Sequence, residues 1–197
     1  MEIRLWRIPE TKTDKVRLRV TKAAACPALS DFGLFREPPA PLWSARAEGR
    51  AKLASRSKWK IGTSFDNPGI SPNRAIDGDP NTFWHSRSET MASGIPASMT
   101  LDLGEEKNLA GMTYLTRQDG NPNGKIDKYR VEVSTDGKTW SEAATGEFAN
   151  IESNPIEQVV KFPKSMKARH LRLTGLHVVA SDHIVVAELG VIEATAP

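Results

Sequence analysis

One cysteine, Cys26, stands in a chain of 197 residues, which excludes an intramolecular disulfide and any zinc site built on several thiolates. No run of about eighteen apolar residues occurs, so no membrane-spanning helix is expected. The opening Met1-Glu2-Ile3-Arg4-Leu5-Trp6-Arg7 carries charge where an export leader needs an apolar stretch, so no signal peptide is expected in this chain. No segment of about twelve residues shows helical periodicity with caps at its ends. Gly-x-Ser-x-Gly, His-Glu-x-x-His, phosphate-loop and Gly-x-Gly-x-x-Gly motifs are also missing. The chain is therefore not expected to be an enzyme in its own right.

Hydrophobic residues make up 39% of the chain, enough for a packed core over most of its length. The net charge is +3, but it is unevenly placed. Residues 1–58 hold 13 Lys and Arg against 6 Asp and Glu, whereas residues 59–197 hold 14 against 18. A nucleic-acid binder needs its positive charge on the folded recognition surface, and here the better-patterned part is acidic. No nucleic-acid partner is expected.

Composition divides the chain in three. Residues 1–36 contain the alternating run Val16-Arg17-Leu18-Arg19-Val20 and end on Phe32-Gly33-Leu34-Phe35. Residues 37–53 are rich in Pro, Arg and Ala and read as a linker. From residue 54 to 197 the texture is that of short strands separated by turn residues. Period-two alternation marks Met99–Leu103, Met112–Thr116, Tyr129–Ser134, Val159–Phe162, His170–Thr174 and Ala187–Ile192. Asp136-Gly137 is a hairpin signal leading into a strand near Lys138-Thr139-Trp140. Many short strands with no helices predict an all-β sandwich or barrel. Lys15–Val20 followed by Leu29–Phe35 echoes Ala168–Leu173 followed by Val186–Ile192, which makes residues 1–36 the expected last two strands of a truncated upstream sandwich. Two such orphan strands cannot bury an apolar face alone.

The stretch richest in chemistry is Asn73-Arg74-Ala75-Ile76-Asp77-Gly78-Asp79-Pro80-Asn81-Thr82-Phe83-Trp84-His85-Ser86. Two carboxylates around a glycine, then a threonine, offer the hard oxygen atoms that a calcium ion collects, ~6–8 at a time. An EF-hand beginning at Asp77 would need Gly at its sixth position and Glu at its twelfth; those are Thr82 and Ser88, so that motif is rejected. An Asx-rich turn without metal is the alternative reading of the same residues.

Read in order, Ala75–His85, Leu101-Asp102-Leu103-Gly104, Arg117–Ile126, Val133–Trp140, Ala168–Leu173 and Ala187-Glu188 resemble the coagulation factor 5/8 type C (discoidin) domain, and most of all the family 32 carbohydrate-binding modules of microbial glycosidases. The resemblance covers about 54–192 and implies a galactose-binding-like (discoidin) β-sandwich. It implies a structural Ca2+ held by the Arg74 carbonyl, the Asp77 carboxylate, the Asp79 side chain and carbonyl, the Thr82 hydroxyl and carbonyl, the Ala187 carbonyl and the Glu188 carboxylate.

The same resemblance assigns sugar contacts to His85, Arg117 and Asn123, with Asn121 their neighbour. Alternative readings stand beside each: Arg117 paired with Asp119, His85 capping a turn, and Asn121-Pro122-Asn123-Gly124 as a plain turn. Many relatives carry an aromatic residue three positions after the histidine, where this chain has Ser88, and another shortly before the Ala-Glu pair. In that second region His183 is the one ring, and Met91, in the loop after His85, is a further apolar candidate, so the identity of the sugar is left open. The implied ligands are galactose, N-acetylgalactosamine or fucosylated glycans. The implied setting is extracytoplasmic, secreted or periplasmic.

Residues 17–20 and 29–35 further resemble the end of the β-sandwich that follows the catalytic barrel in family 29 α-L-fucosidases, which implies an upstream catalytic domain in the parent protein. A lipid- or protein-binding discoidin adhesion domain is the rival function. It needs exposed apolar loop tips ringed by Lys and Arg, and Phe65–Ile70 and Ser86–Ile95 offer Phe65, Ile70 and Met91 with little basic charge. No membrane partner is expected.

Overall fold

The computed structural model describes residues 12–17, 19, 52–65, 67–86 and 94–194. The chain divides into two compact units, residues 1–39 and 40–197. Most of the two strands expected within residues 1–36 lie outside the described residues; the described residues 12–17 and 19 form no strand. Met91 and Ser88 also lie outside them.

Among its described residues the second unit is all-β apart from one 3-10 turn, Pro72–Ala75. Its strands are β1 (Lys52–Leu53), β2 (Lys60–Thr63), β3 (Trp84–His85), β4 (Ala97–Leu115), β5 (Ile126–Ser134), β6 (Ser141–Glu147), β7 (Gln158–Val178), β8 (Val185–Val186) and β9 (Glu188–Glu193). β1 pairs with β9, so the module begins within the expected linker 37–53 rather than after it. One sheet runs β1-β9-β4-β7-β5-β6, with β2 added to β4, and all of its pairings are antiparallel. β3 and β8 form a separate two-stranded sheet.

Two pairs of expected strands are each one long strand. Met99–Leu103 and Met112–Leu115 belong to β4, and Val159–Phe162 and His170–Thr174 belong to β7. The polar segment Gly104-Glu105-Glu106-Lys107 suggests a loop, but it is a bulge that stays in the ladder, with the register shifting between Asp102 and Lys107. Asp102 Oδ1 accepts the Gly104 N–H at 2.9 Å, and Gly104 takes a φ of 78°, open to glycine at little cost.

The first half of β4 lies between β2 and the second half of β7, and its second half lies between β9 and the first half of β7. Met99, Leu101 and Leu103 from the first half share one core cluster with Met112, Tyr114, Leu189 and Val191 from the second. The sheet therefore folds over on itself as a sandwich around a single core. Each such fully buried aliphatic side chain contributes about 1.5–3 kcal/mol.

Candidate functional site

Three loops at one end of the sandwich are fastened together by backbone hydrogen bonds. β3 pairs with β8 through Trp84 opposite Val186 and His85 opposite Val185. Ser86 N–H donates to the Ile184 carbonyl at 3.0 Å, and the Ser86 hydroxyl accepts the Ile184 N–H at 3.0 Å. Gly124 joins the third loop: its N–H reaches the Val179 carbonyl at 3.1 Å, and its carbonyl accepts the Val185 N–H at 2.8 Å. Gly124 has a φ of 82°, and a Cβ there would collide with the Val185 side chain and lie 3.0 Å from the His183 carbonyl. Tyr114 supports the junction from below, donating to the Val185 carbonyl at 2.8 Å and accepting the Ile126 N–H at 3.1 Å. Complete burial pushes its phenol up to about 12.

This fastening brings the sugar-contact candidates along one surface. The His183 ring meets His85 edge-on, with centroids 5.7 Å apart, and His85 lies 6.3 Å from Phe83. The Arg117 guanidinium carbon sits 4.6 Å from the centroid of the same Phe83 ring, a cation–π distance. Arg117 also forks onto Asp119: Nε donates to Oδ1 at 2.7 Å and Nη2 to Oδ2, leaving Nη1 outside the pair. The surface pairing weighed for Arg117 is thus present, and it fixes the guanidinium beside the ring. Asp119 Oδ1 accepts the Asn121 N–H at 3.2 Å, and Asn121 Oδ1 accepts the Asn123 N–H at 2.9 Å, so the Asn loop hangs from the same carboxylate. The Arg117 hydrogen bond holds the Asp119 carboxyl below the usual carboxylate range, against a smaller effect of burial.

His183, 5% exposed, offers no open ring face for stacking; it stands buried beneath His85. Asn67 was missed in the sequence. Its side-chain amide donates to the His85 carbonyl at 3.0 Å and lies 3.3 Å from His85 Nδ1. Phe83 is the surface on which Arg117 rests. Lys125, 3% exposed, sends Nζ to the Glu152 carbonyl at 3.1 Å, and burial pushes its amine down. Phe65 and Ile70, weighed as exposed apolar tips, instead pack against the core.

The oxygen-rich loop lies next to this face in sequence and is closed by β9. The Thr82 hydroxyl donates to Asp77 Oδ2 at 2.7 Å and stands 3.5 Å from the Arg74 carbonyl and 3.4 Å from the Asp79 carbonyl. Glu188 reaches in from the last strand: Oε1 accepts the Gly78 N–H at 2.6 Å, and Oε2 pairs with Arg56. Ala187, fully buried, precedes it, its N–H bound to the Leu115 carbonyl at 2.9 Å. The Asp79 side chain turns elsewhere, taking both the Asn81 N–H and the Asn81 side-chain amide at 2.9 Å on Oδ1.

Among the described residues no three Asp, Glu, His or Cys side chains gather as a metal cluster. What gathers is a mixed set of two carboxylates, a hydroxyl and two carbonyls. This is an all-oxygen donor set, and its chemistry fits a hard cation such as calcium. Burial works against ionisation of Asp77, but the Thr82 hydroxyl, the Asp79 N–H, the Glu188 side chain and Arg56 together hold its carboxyl below the ordinary value. Burial pushes Glu188 up, opposed by Arg56.

A family profile for the F5/8 type C domain matches residues 55–189. The chain belongs to the F5/8 type C domain family. The module is 34% identical over 115 residues to galactose oxidase from Gibberella zeae, covering 53% of this chain and 17% of that protein. It is 34% identical over 122 residues to a sialidase from Micromonospora viridifaciens, covering 60% of this chain and 18% of that protein. The chain thus spans less than a fifth of the length of these curated relatives. Among solved structures, CpGH89CBM32-5 from Clostridium perfringens, in complex with GalNAc-beta-1,3-galactose, is 30% identical with a TM-score of 0.63, covering 71% of this chain and 99% of that one. The fold is the galactose-binding-like sandwich of family 32 carbohydrate-binding modules. Among the described residues, no helix is long and apolar enough to cross a membrane.

Proposed function

We propose that this F5/8 type C module is a non-catalytic sugar-docking domain that recognises terminal galactose-type sugars, galactose or N-acetylgalactosamine, and delivers an attached glycoside hydrolase to its glycans. The observation that carries this reading is the alignment of His85 and Arg117 along one Phe83 ring, with the Asn121–Asn123 loop tied to Arg117 through Asp119. Such a surface meets a pyranose with directed donors for its hydroxyls.

The roles follow from the hydrogen-bond network. The Asn67 amide carries two hydrogens, one for the His85 carbonyl and one for Nδ1. That arrangement makes Nδ1 an acceptor and puts the ring proton on Nε2, which serves as the donor toward a sugar hydroxyl. Arg117 offers Nη1, the nitrogen outside its pair with Asp119, and Asn123 and Asn121 supply amide groups. His183 backs His85 from beneath.

The complex with GalNAc-beta-1,3-galactose formed by the similar C. perfringens module supports the ligand class. The oxygen set of Arg74, Asp77, Asp79, Thr82, Ala187 and Glu188 takes a structural calcium in this reading, with Asp79 contributing its carbonyl. The upstream catalytic domain, fucosidase-like by the residues near Arg17–Phe35, and an extracytoplasmic setting belong to the same proposal.

Sugar hydroxyls exchange water for protein at small net gain, so dissociation constants of ~10 µM to ~1 mM are expected. A module of that strength works by raising the local concentration of whatever is tethered to it. Calorimetric titration with galactose, N-acetylgalactosamine, lactose and fucose tests the reading. Binding of a galactose-type sugar that is lost in Arg117→Ala supports it, and silence toward all four at millimolar concentration overturns it.

A further inference from the structure

Glu188 is the one buried carboxylate of the oxygen-rich loop, and a side chain from a distant part of the sequence already addresses it. Arg56, which follows β1, pairs through Nη1 with Glu188 Oε2, while Glu188 Oε1 takes the Gly78 N–H. The glutamate side chain is 8% exposed and the arginine 28%, so the cation covers the acid from the solvent side.

Arg56 is held for this task from two directions. Its carbonyl accepts the Trp59 N–H at 3.0 Å, closing the turn that carries it, and its guanidinium lies 5.9 Å from the Trp59 ring centroid. The preceding Ala54 is fixed to β9 by its N–H on the Val191 carbonyl at 2.9 Å. Between this segment and the loop runs a groove of about 620 Å³, lined by Ser55 and Arg56 on one side and by Ile76, Asp77 and Gly78 on the other. The groove opens Asp77 and Arg56 to solvent on the same side.

The electrostatics make the pairing consequential. Asp77 and Glu188 interact directly, and a carboxylate buried as Glu188 is costs much without a cation beside it. Some cation must balance them. A divalent ion in the loop and the Arg56 guanidinium address the same Glu188 carboxylate.

We propose that Arg56 is a built-in counter-cation of this loop, which neutralises Glu188 in the metal-free module and competes with calcium for it. The proposal rests on the reading of the loop as a calcium site. Arg56 thereby lowers the calcium affinity and, in exchange, lets the loop keep its shape without the ion. A chain lacking this arginine becomes dependent on calcium.

The test is calcium titration by calorimetry into the metal-stripped 197-residue chain, together with melting temperatures in chelator and in calcium. The proteins are wild type, Arg56→Gln and Lys58→Gln. Lys58 is a neighbouring surface cation paired with Glu105 and serves as the control for general charge. Arg56→Gln is expected to bind calcium about fivefold more tightly or better. It is also expected to melt below wild type in chelator and to recover in calcium, while Lys58→Gln matches wild type in every measurement. Unchanged affinity and unchanged chelator melting in Arg56→Gln overturn the proposal and leave the calcium reading standing. No calcium binding by any of the three overturns the calcium reading and the competition with it. Should Arg56→Gln fail to fold without metal, wild type still decides. Its Arg56 side-chain NMR resonance is expected to shift on calcium saturation, and an unmoved resonance overturns the proposal.

Discussion

The side-chain amide of Asn67 bridges the carbonyl oxygen and the Nδ1 atom of His85, at 3.0 and 3.3 Å. In the proposed reading, a residue eighteen positions upstream thus sets which ring nitrogen of His85 carries the proton. Asn67→Ala removes that control and leaves the ring free to present an acceptor. We expect sugar affinity to fall about three- to tenfold, in keeping with the loss of one ordinary hydrogen bond. Calorimetry gives the affinity, and nitrogen NMR of the His85 ring gives the tautomer; a weakened site with an unchanged tautomer contradicts the assignment.

Gly124 holds the Asn loop against the loop that carries His183, at a backbone angle and a packing distance that exclude a side chain. Gly124→Ala is expected to cost about 2–4 kcal/mol of stability, from left-handed strain plus overpacking against Val185. Chemical denaturation measures it, and sugar binding should weaken in the same variant because the Asn121–Asn123 loop loses its fastening.

Asp119 is ionised in the folded state at lower pH than an ordinary carboxylate, chiefly through Arg117. A depressed folded pKa contributes stability above the unfolded value, about 3.9. That contribution is lost as pH falls through the folded value. The melting temperature of Asp119→Asn should therefore lie below wild type by a constant gap from pH 8 to about pH 5, and the gap should close as pH falls past the unfolded value toward the depressed folded one. A gap that widens on acidification contradicts the pairing.

The Thr82 hydroxyl oxygen is the atom around which the loop oxygens are spaced, 2.7 Å from Asp77 Oδ2 and 3.5 and 3.4 Å from the Arg74 and Asp79 carbonyls. Thr82→Val keeps the shape and deletes the hydroxyl. We expect calcium affinity to fall about tenfold and the calcium-dependent gain in melting temperature to shrink. Thermal scans across a calcium series check this.

The strand pattern was legible because alternation survives wherever one face is buried, as in Met99, Leu101 and Leu103. The hairpin was legible too: Asp136 Oδ1 takes the Lys138 and Thr139 N–H groups, both at 2.8 Å, which is the local chemistry that Asp-Gly advertises. The fusion of four expected strands into β4 and β7 was not legible. A bulge with charged residues has the composition of a loop while keeping its ladder. Within the candidate site, His85, Arg117, Asn121, Asn123 and Glu188 stand in motifs that resemblance could align. Asn67 and Arg56 act through contacts spanning 18 and 132 residues, and local spacing carries no record of such partners.

β4 and β7 each supply half of their length to both walls of the sandwich. Neither wall can melt while the other stands, because the same two strands would have to be ordered and disordered at once. Loss of order should therefore be all-or-none across the module, and amide protons at both ends of β4 should exchange with a single, shared free energy of opening.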